Sequence, residues 1–288
     1  MKIQFSSTYV YPRLPAIRDL GVIRYRGAGL ANCLFVASRA YLISKKMGWD
    51  YINPTWKNFS FGPYLRSEKD KRHYFGLFKK IGISNISKLL ILIFLKKIDY
   101  QNDMKSKKGL IKIEGLGNYF EDLLFEQRQV KDFIYSILKR KITDKIDKLD
   151  FSNVVGIHLR LGDYRADLRT DINWYIKIVN DFNDLHGGNQ KFYVFSDGSN
   201  NEISTLLSIP RVERVFFGNA LSDVLALSKC KFIIGSDSTF SGWAAFLGQT
   251  PILFPKRHFG KVLLNSENEF VENNIHVELN NFLQKIGK

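Results

Sequence analysis

An α/β protein of two domains is the fold class this sequence predicts, and three observations predict it. The chain has 288 residues, where a domain takes roughly 100–200. From Val154 onward, short apolar runs alternate with amphipathic stretches, the pattern of a parallel sheet crossed by helices. Between the halves, residues 141–151 (KITDKIDKLDF) turn polar and charged, which places the expected boundary near residue 150. The expected domains are 1–150 and 151–288.

In the second half the expected strands are 153–158, 191–195, 212–217, 231–235 and 250–254. Residues 171–185 carry Ile172, Tyr175, Ile176, Val179 and Phe182 at helical spacing. Residues 221–229 form a second helix opened by Ser222 and Asp223, and 238–247 a third, with Phe240, Trp243, Ala244 and Leu247 on one face. Strand–helix–strand repetition of this kind describes a Rossmann-like unit. In the first half, 30–47 is a helix closed by Lys45, Lys46 and Gly48. Residues 79–112 mix lysines with the apolar run Leu89–Leu95. That segment reads either as a peripheral membrane anchor or as a core helix of the first domain with a solvated lysine face.

Composition narrows the function classes. The 45% hydrophobic content suits a globular chain. Cys33 and Cys230 are far apart, with no CxxC spacing, which argues against a disulfide framework and against structural zinc. The amino-terminal residues lack the apolar run of a signal peptide, and Leu89–Leu95 is far short of the ~20 residues of a spanning helix. A soluble or peripheral protein of a reducing cytosol is expected. The net charge of +15 calls for an anionic partner, whether nucleic acid, an acidic membrane surface or a nucleotide-sugar; a merely solvated basic surface is the plainer alternative. No RNP-like or other nucleic-acid motif appears, so no nucleic acid is expected.

Four segments carry candidate chemistry. His158-Leu159-Arg160-Leu161-Gly162-Asp163-Tyr164 ends a strand, where ligands of open parallel sheets collect. Arg160 there can hold a diphosphate through paired charged hydrogen bonds, each worth roughly 1.5–3 kcal/mol. Asp163 could orient that arginine or bind a hydroxyl, and a simple ion pair is the alternative. In Gly235–Trp243 a strand runs through a small-residue turn into a helix. Helix amides together with Ser238, Thr239 and Phe240 make a phosphate site there, or Ser236 or Asp237 merely caps the helix. Phe195-Ser196-Asp197-Gly198 offers a carboxylate to a ribose or a base, or an ordinary turn. Arg24–Asn32 is a glycine-containing loop before a long helix, with Gly29 and Asn32 able to face a ligand.

Together these segments resemble the α-1,2-fucosyltransferase family of bacterial surface-glycan synthesis. That family reads roughly GGLGNQ, where this chain has GAGLAN at 27–32. It has a Gly-Tyr-Phe segment, matched by Gly117-Asn118-Tyr119-Phe120, and HxRRGDY, matched by HLRLGDY at 158–164. A VFSDD-like strand end matches Val194–Asp197, and a CK…SSFSWW block matches Cys230-Lys231 and Ser238–Trp243. The order and spacing hold over about residues 20–255.

The resemblance implies a GT-B architecture of two Rossmann-like domains across a cleft, the first on the acceptor side and the second binding the GDP-sugar. It implies GDP-L-fucose or a relative such as GDP-colitose as donor, a galactose-type acceptor in O-antigen or capsule synthesis, and an inverted, α-1,2 linkage. No metal or other cofactor is implied, and the sequence has no DxD triplet of the metal-dependent kind. Arg160 and Asp163 would be catalytic. His158, Arg160, Asp197, Ser238, Thr239, Phe240, Gly29 and Asn32 would bind the donor. Asp163, Asp167 and Asp171 are candidates for a general base. Relatives build glycans on a lipid carrier, which implies a lipid-linked acceptor and peripheral contact with the inner membrane. Two positions depart from the pattern, Leu161 for the second arginine and Gly242-Trp243 for the double tryptophan. Either fits a shifted donor, and a non-catalytic nucleotide- or glycan-binding relative is the rival reading.

Overall fold

The structure, a computed structural model, describes residues 7–66, 68–98, 108–162, 167, 169–272 and 276–287. It divides into two compact units, Met1–Tyr64 with Lys71–Ile142, and Leu65–Asp70 with Thr143–Lys288. The short segment 65–70 goes with the second unit through Asp70, whose carboxylate accepts from the Ala220 N–H at 2.6 Å.

The first unit contains β1 (Tyr9–Pro12), β2 (Ala16–Asp19), β3 (Arg24–Gly27), α1 (Leu30–Met47), β4 (Asp50–Tyr51) and β5 (Asn58–Phe59). These are followed by α2 (Gly62–Leu65), α3 (Asn85–Phe94), β6 (Leu110–Ile113), α4 (Gln127–Ile137) and the start of α5 (Arg140–Asp147). β1 is buried along its length and lies between β4 and β6 in a parallel sheet. α1 packs over it, with Cys33, Leu34, Val36, Ala37 and Ala40 buried, and ends at Gly48, whose φ of 66° is cheap only for glycine. β2, β3 and β5 form a separate small sheet. The polar stretch 141–151 contributes helix α5, because Ile142 and Ile146, one turn apart, are both buried.

A buried polar chain sets the orientation of α3. Lys88 donates to Thr55 Oγ1 at 2.8 Å, Thr55 and Tyr11 share a hydroxyl contact of 2.8 Å, and Tyr11 donates to Asp19. An ammonium can only donate and a carboxylate only accept, so both hydroxyls point the same way along the chain. Burial pushes the Lys88 ammonium down to about 8, while Asp19 holds it up. The lysine of this helix therefore faces inward. That corrects the expectation of a core helix with a solvated lysine face. The 99–107 part of the same segment lies outside the described residues.

The second unit contains β7 (Val154–Leu159), α6 (Ile172–His186), β8 (Lys191–Ser196), α7 (Ser204–Leu207), β9 (Val212–Arg214) and α8 (Ala220–Leu227). It continues through β10 (Phe232–Ile234), α9 (Thr239–Gly248), β11 (Ile252–Phe254), β12 (Glu269–Val271) and α10 (His276–Gly287). Among the described residues its six strands run parallel in the order β12-β11-β10-β7-β8-β9. Counted from β7, that is 6-5-4-1-2-3, the order of a doubly wound nucleotide-binding sheet. Alternation along β7 sends Val155, Ile157 and Leu159 into the core shared with α6 and α10. His158 points to the other face, where it meets residues of α9. β9 is shorter than expected, stopping at Arg214, and the sequence reading contained neither β12 nor α10.

Behind the turn that opens α9, Trp243 is fully buried against Phe246, with ring centroids 5.5 Å apart. Trp243→Ala is expected to lower unfolding stability by about 3–5 kcal/mol, measured by urea denaturation.

Candidate active site

The order of the second sheet reverses between β7 and β10, and a crevice for ligands forms outside the carboxyl ends of strands at such a point. Both strand-end motifs meet there. His158, the fifth residue of β7, shares Nδ1 with Ser241 Oγ at 2.7 Å and Ser236 Oγ at 3.0 Å. Its ring stacks on Phe240 with centroids 4.5 Å apart. The Ser236 N–H also donates to Ser241 Oγ at 3.1 Å, and Ser238 caps α9 by accepting from the Phe240 N–H. His158 thus ties the end of β7 to the turn that starts α9.

The adjoining loop is organised by Asp197 at the end of β8. Its carboxylate accepts from the N–H groups of Leu161 at 2.8 Å and Gly162 at 3.0 Å, and pairs with the Arg160 guanidinium. A Cβ on Gly162 would lie 2.8 Å from Asp197 Oδ2, and one on Gly198 2.6 Å from Leu161 Cδ1. Two glycines therefore let these strand-end loops touch. Burial raises the Asp197 carboxyl, but Arg160 and the two N–H groups outweigh it and hold the group below the usual carboxylate range. The sequence left Asp197 between a ribose or base acceptor and a plain turn; in the structure its donors are the chain's own. Leu161, where the family pattern has a second arginine, is buried in the core.

Asp163 lies outside the described residues. Asp171 caps α6, accepting from the Asn173 N–H at 3.0 Å. Thr239 is the first residue of α9. Gly29 and Asn32 belong to the first unit. Gly29 is the N-cap of α1, and Asn32 lines a cavity of about 260 Å³ with Arg13 and Glu114. Phe120, in the Gly-Tyr-Phe match, packs edge-on against Phe35 of α1.

The structure adds groups the sequence reading missed. Arg214, at the end of β9, donates to the carbonyls of Ser196 and Gly198 and to Asn200 Oδ1, fixing the turn after β8. Arg169 pairs with Glu202 at 3.0 Å. Beyond β11, His258 places Nδ1 2.6 Å from Asp237 Oδ1, and its N–H donates to the same oxygen at 3.0 Å. A readable signal existed for this pair: Lys256-Arg257-His258 begins one residue beyond the 250–254 strand, after Pro255, where ligand groups gather.

The family model described as glycosyl transferase family 11 matches residues 75–256, more than half of the chain. The chain belongs to glycosyl transferase family 11. This family 11 glycosyltransferase is similar in structure to fucosyltransferase NodZ from Bradyrhizobium, with a TM-score of 0.56 and 16% identity over 85% of this chain and 94% of that one. NodZ α-1,6-fucosyltransferase co-crystallised with GDP matches over the same shares at 15% identity and a TM-score of 0.55. An Arabidopsis thaliana FUT1 mutant in complex with GDP matches at 11% identity and a TM-score of 0.51, over 91% of this chain and 73% of that one. The α/β, GT-B-type class expected from the sequence is the fold of these structures. No curated protein sequence matches the family 11 chain significantly.

Burial pushes the His158 imidazole from the ordinary 6.5 to about 3, against the pull of Asp197 and with a further push from Arg160. The ring is therefore neutral, and the unfolded chain takes up a proton below pH 6.5 that the folded chain refuses. Its contribution to stability is complete above pH 6.5 and is lost as pH falls from 6.5 towards 3, by at most ~1.4 kcal/mol per pH unit. Urea unfolding across that range is expected to show the wild type losing its advantage over His158→Gln as the pH falls.

Proposed function

We propose that this glycosyltransferase moves a fucose-type sugar, L-fucose or colitose, from a GDP-linked donor to a galactose-type acceptor. The reading extends to inversion at the anomeric carbon, an α-1,2 linkage, a role in surface polysaccharide synthesis and independence of metal. The observation that carries the reading is the meeting of Arg160, the His158 cluster and the amino end of α9 at the point where strand order reverses. A guanidinium just beyond β7 and a helix amino end just beyond β10 are groups suited to a nucleoside diphosphate. The family assignment supports the reaction class, and NodZ structures obtained with GDP and with GDP-fucose support the choice of donor.

In this mechanism the second unit binds the donor and the first serves the acceptor. Negative charge builds on the departing diphosphate, and Arg160 with the α9 terminus stabilises it. Asp197 is the positioning residue. It holds the Arg160 guanidinium directly and fixes the next two backbone N–H groups, so the loop reaches the transition state already ordered. The acceptor hydroxyl attacks the anomeric carbon from the opposite face as the bond to the diphosphate breaks, and its proton passes to a general base. The Asp237–His258 pair resembles an oriented acid–base dyad, with the carboxylate fixing the ring through Nδ1.

Arg160→Ala is expected to cut transfer from labelled GDP-fucose or GDP-colitose to galactose-terminated acceptors by more than tenfold, which is ~1.4 kcal/mol of barrier. Arg160→Lys should recover only part, since an ammonium lacks the planar fork. Retention of most of the wild-type rate by Arg160→Ala would sink the assignment, and comparing the two donors identifies the sugar.

Transfer should also survive excess EDTA, since the guanidinium and helix terminus supply the charge a metal would otherwise bring. Complete loss of activity that Mg²⁺ or Mn²⁺ restores would move the enzyme to a metal-dependent class.

A further inference from the structure

Helix α3 is turned inside out relative to an ordinary surface helix. Its buried residues are Lys88 and Ile91, whereas Ile86 is 72% exposed and Ile93 and Phe94 are each 68% exposed. With Leu90, also exposed, these residues follow one another at positions i, i+4, i+7 and i+8, a continuous stripe along the outer face. The rotation is fixed from inside, because Lys88 is held by the Thr55–Tyr11–Asp19 chain and lies over the Tyr11 ring at 5.0 Å. Turning the stripe inward would carry that ammonium away from its partners.

The stripe continues beyond the helix. Leu20 and Val22 are exposed on the turn between β2 and β3, and this turn abuts α3, since a Cβ on Gly21 would lie 2.8 Å from Leu89 Cδ2. The charge flanking the helix along the chain has one sign. Lys79 and Lys80 precede the helix and Lys96 and Lys97 follow it, all four exposed, and residues 79–98 contain no Asp or Glu. A second copy of the chain would bring two such lysine sets together across the contact, so like charge disfavours self-association. Among the described residues no helix is long and apolar enough to cross a membrane.

We propose that the outer face of α3, with Leu20 and Val22, docks on the surface of an anionic lipid bilayer. The apolar stripe enters the headgroup boundary, and the lysines at both helix ends reach lipid phosphates. This places the first unit at a membrane surface independently of the donor reading, and it stands or falls without any measurement of transfer.

Flotation of the full chain with vesicles tests it. Phosphatidylcholine vesicles containing phosphatidylglycerol should carry the protein, phosphatidylcholine alone should not, and binding should weaken with salt. Ile93→Ser with Phe94→Ser changes only exposed side chains and should lower the partition coefficient by at least about tenfold. Lys96→Gln with Lys97→Gln should lower it and flatten the salt dependence. Thermal melts verify that both variants keep the fold, and either one alone suffices as the test. The proposal is overturned by a wild type that stays in solution with acidic vesicles at low salt, or by binding that neither variant alters. A concentration-dependent dimer in sedimentation velocity that Ile93→Ser dissolves would assign the face to a second copy and overturn it equally.

Discussion

The second unit depends on the contact of one buried imidazole with two serine hydroxyls. Nδ1 of His158 lies within hydrogen-bonding distance of Ser236 and Ser241, and so joins the end of β7 to the turn between β10 and α9. These are the two strands between which the sheet order reverses. The contact is worth having only if the ring stays neutral, and burial against Phe240 ensures that. A charged imidazole there would carry an uncompensated desolvation cost of several kcal/mol. The histidine in the HLRLGDY segment is thus a fastener of the site's floor, and the arginine two residues later occupies the strand end.

Above that floor, Asp197 organises the loop as a helix cap organises a helix end. One carboxylate accepts from two successive backbone N–H groups and from a guanidinium, satisfying groups that would otherwise be stranded at a buried strand end. Arg214 fixes the carbonyls of the partner turn. The site is therefore held by a network of local charges on rigid strand ends. In the proposed mechanism such preorganisation would let electrostatic stabilisation of a leaving diphosphate act without reorganisation cost.

The first unit solves a different problem. Lys88 is buried because a relay of two hydroxyls links it to Asp19, and breaking such a chain would leave a charge without a partner in the interior. That internal constraint decides what the protein shows to its surroundings. With the lysine facing inward, the isoleucines, leucine and phenylalanine of α3 face outward.

The sequence by itself determined the main strands and helices between Val154 and Phe254 and pointed to a glycosyltransferase of the fucosyltransferase type. The five strands and three longer helices from Val154 to Phe254 were legible, apart from α7 and the end of β9, because apolar periodicity is local and this unit buries both faces of its sheet. Arg160, Asp197 and Ser238 were legible as strand-end residues, since a motif carries its position along a strand with it. Only the tertiary structure decided that the strands order as 6-5-4-1-2-3, and that Asp197 is engaged by Arg160 and the loop. It alone brought His258 to Asp237, and it alone turned Lys88 inward. These outcomes turn on contacts such as His258–Asp237, Lys88–Thr55, Arg160–Asp197 and Phe232–Val155, whose partners lie 21 to 77 positions apart. The periodicity of one segment cannot encode such a meeting. In α3, apolar residues occur on every side, so no local pattern chose the inner face; a single buried ammonium and its partners did.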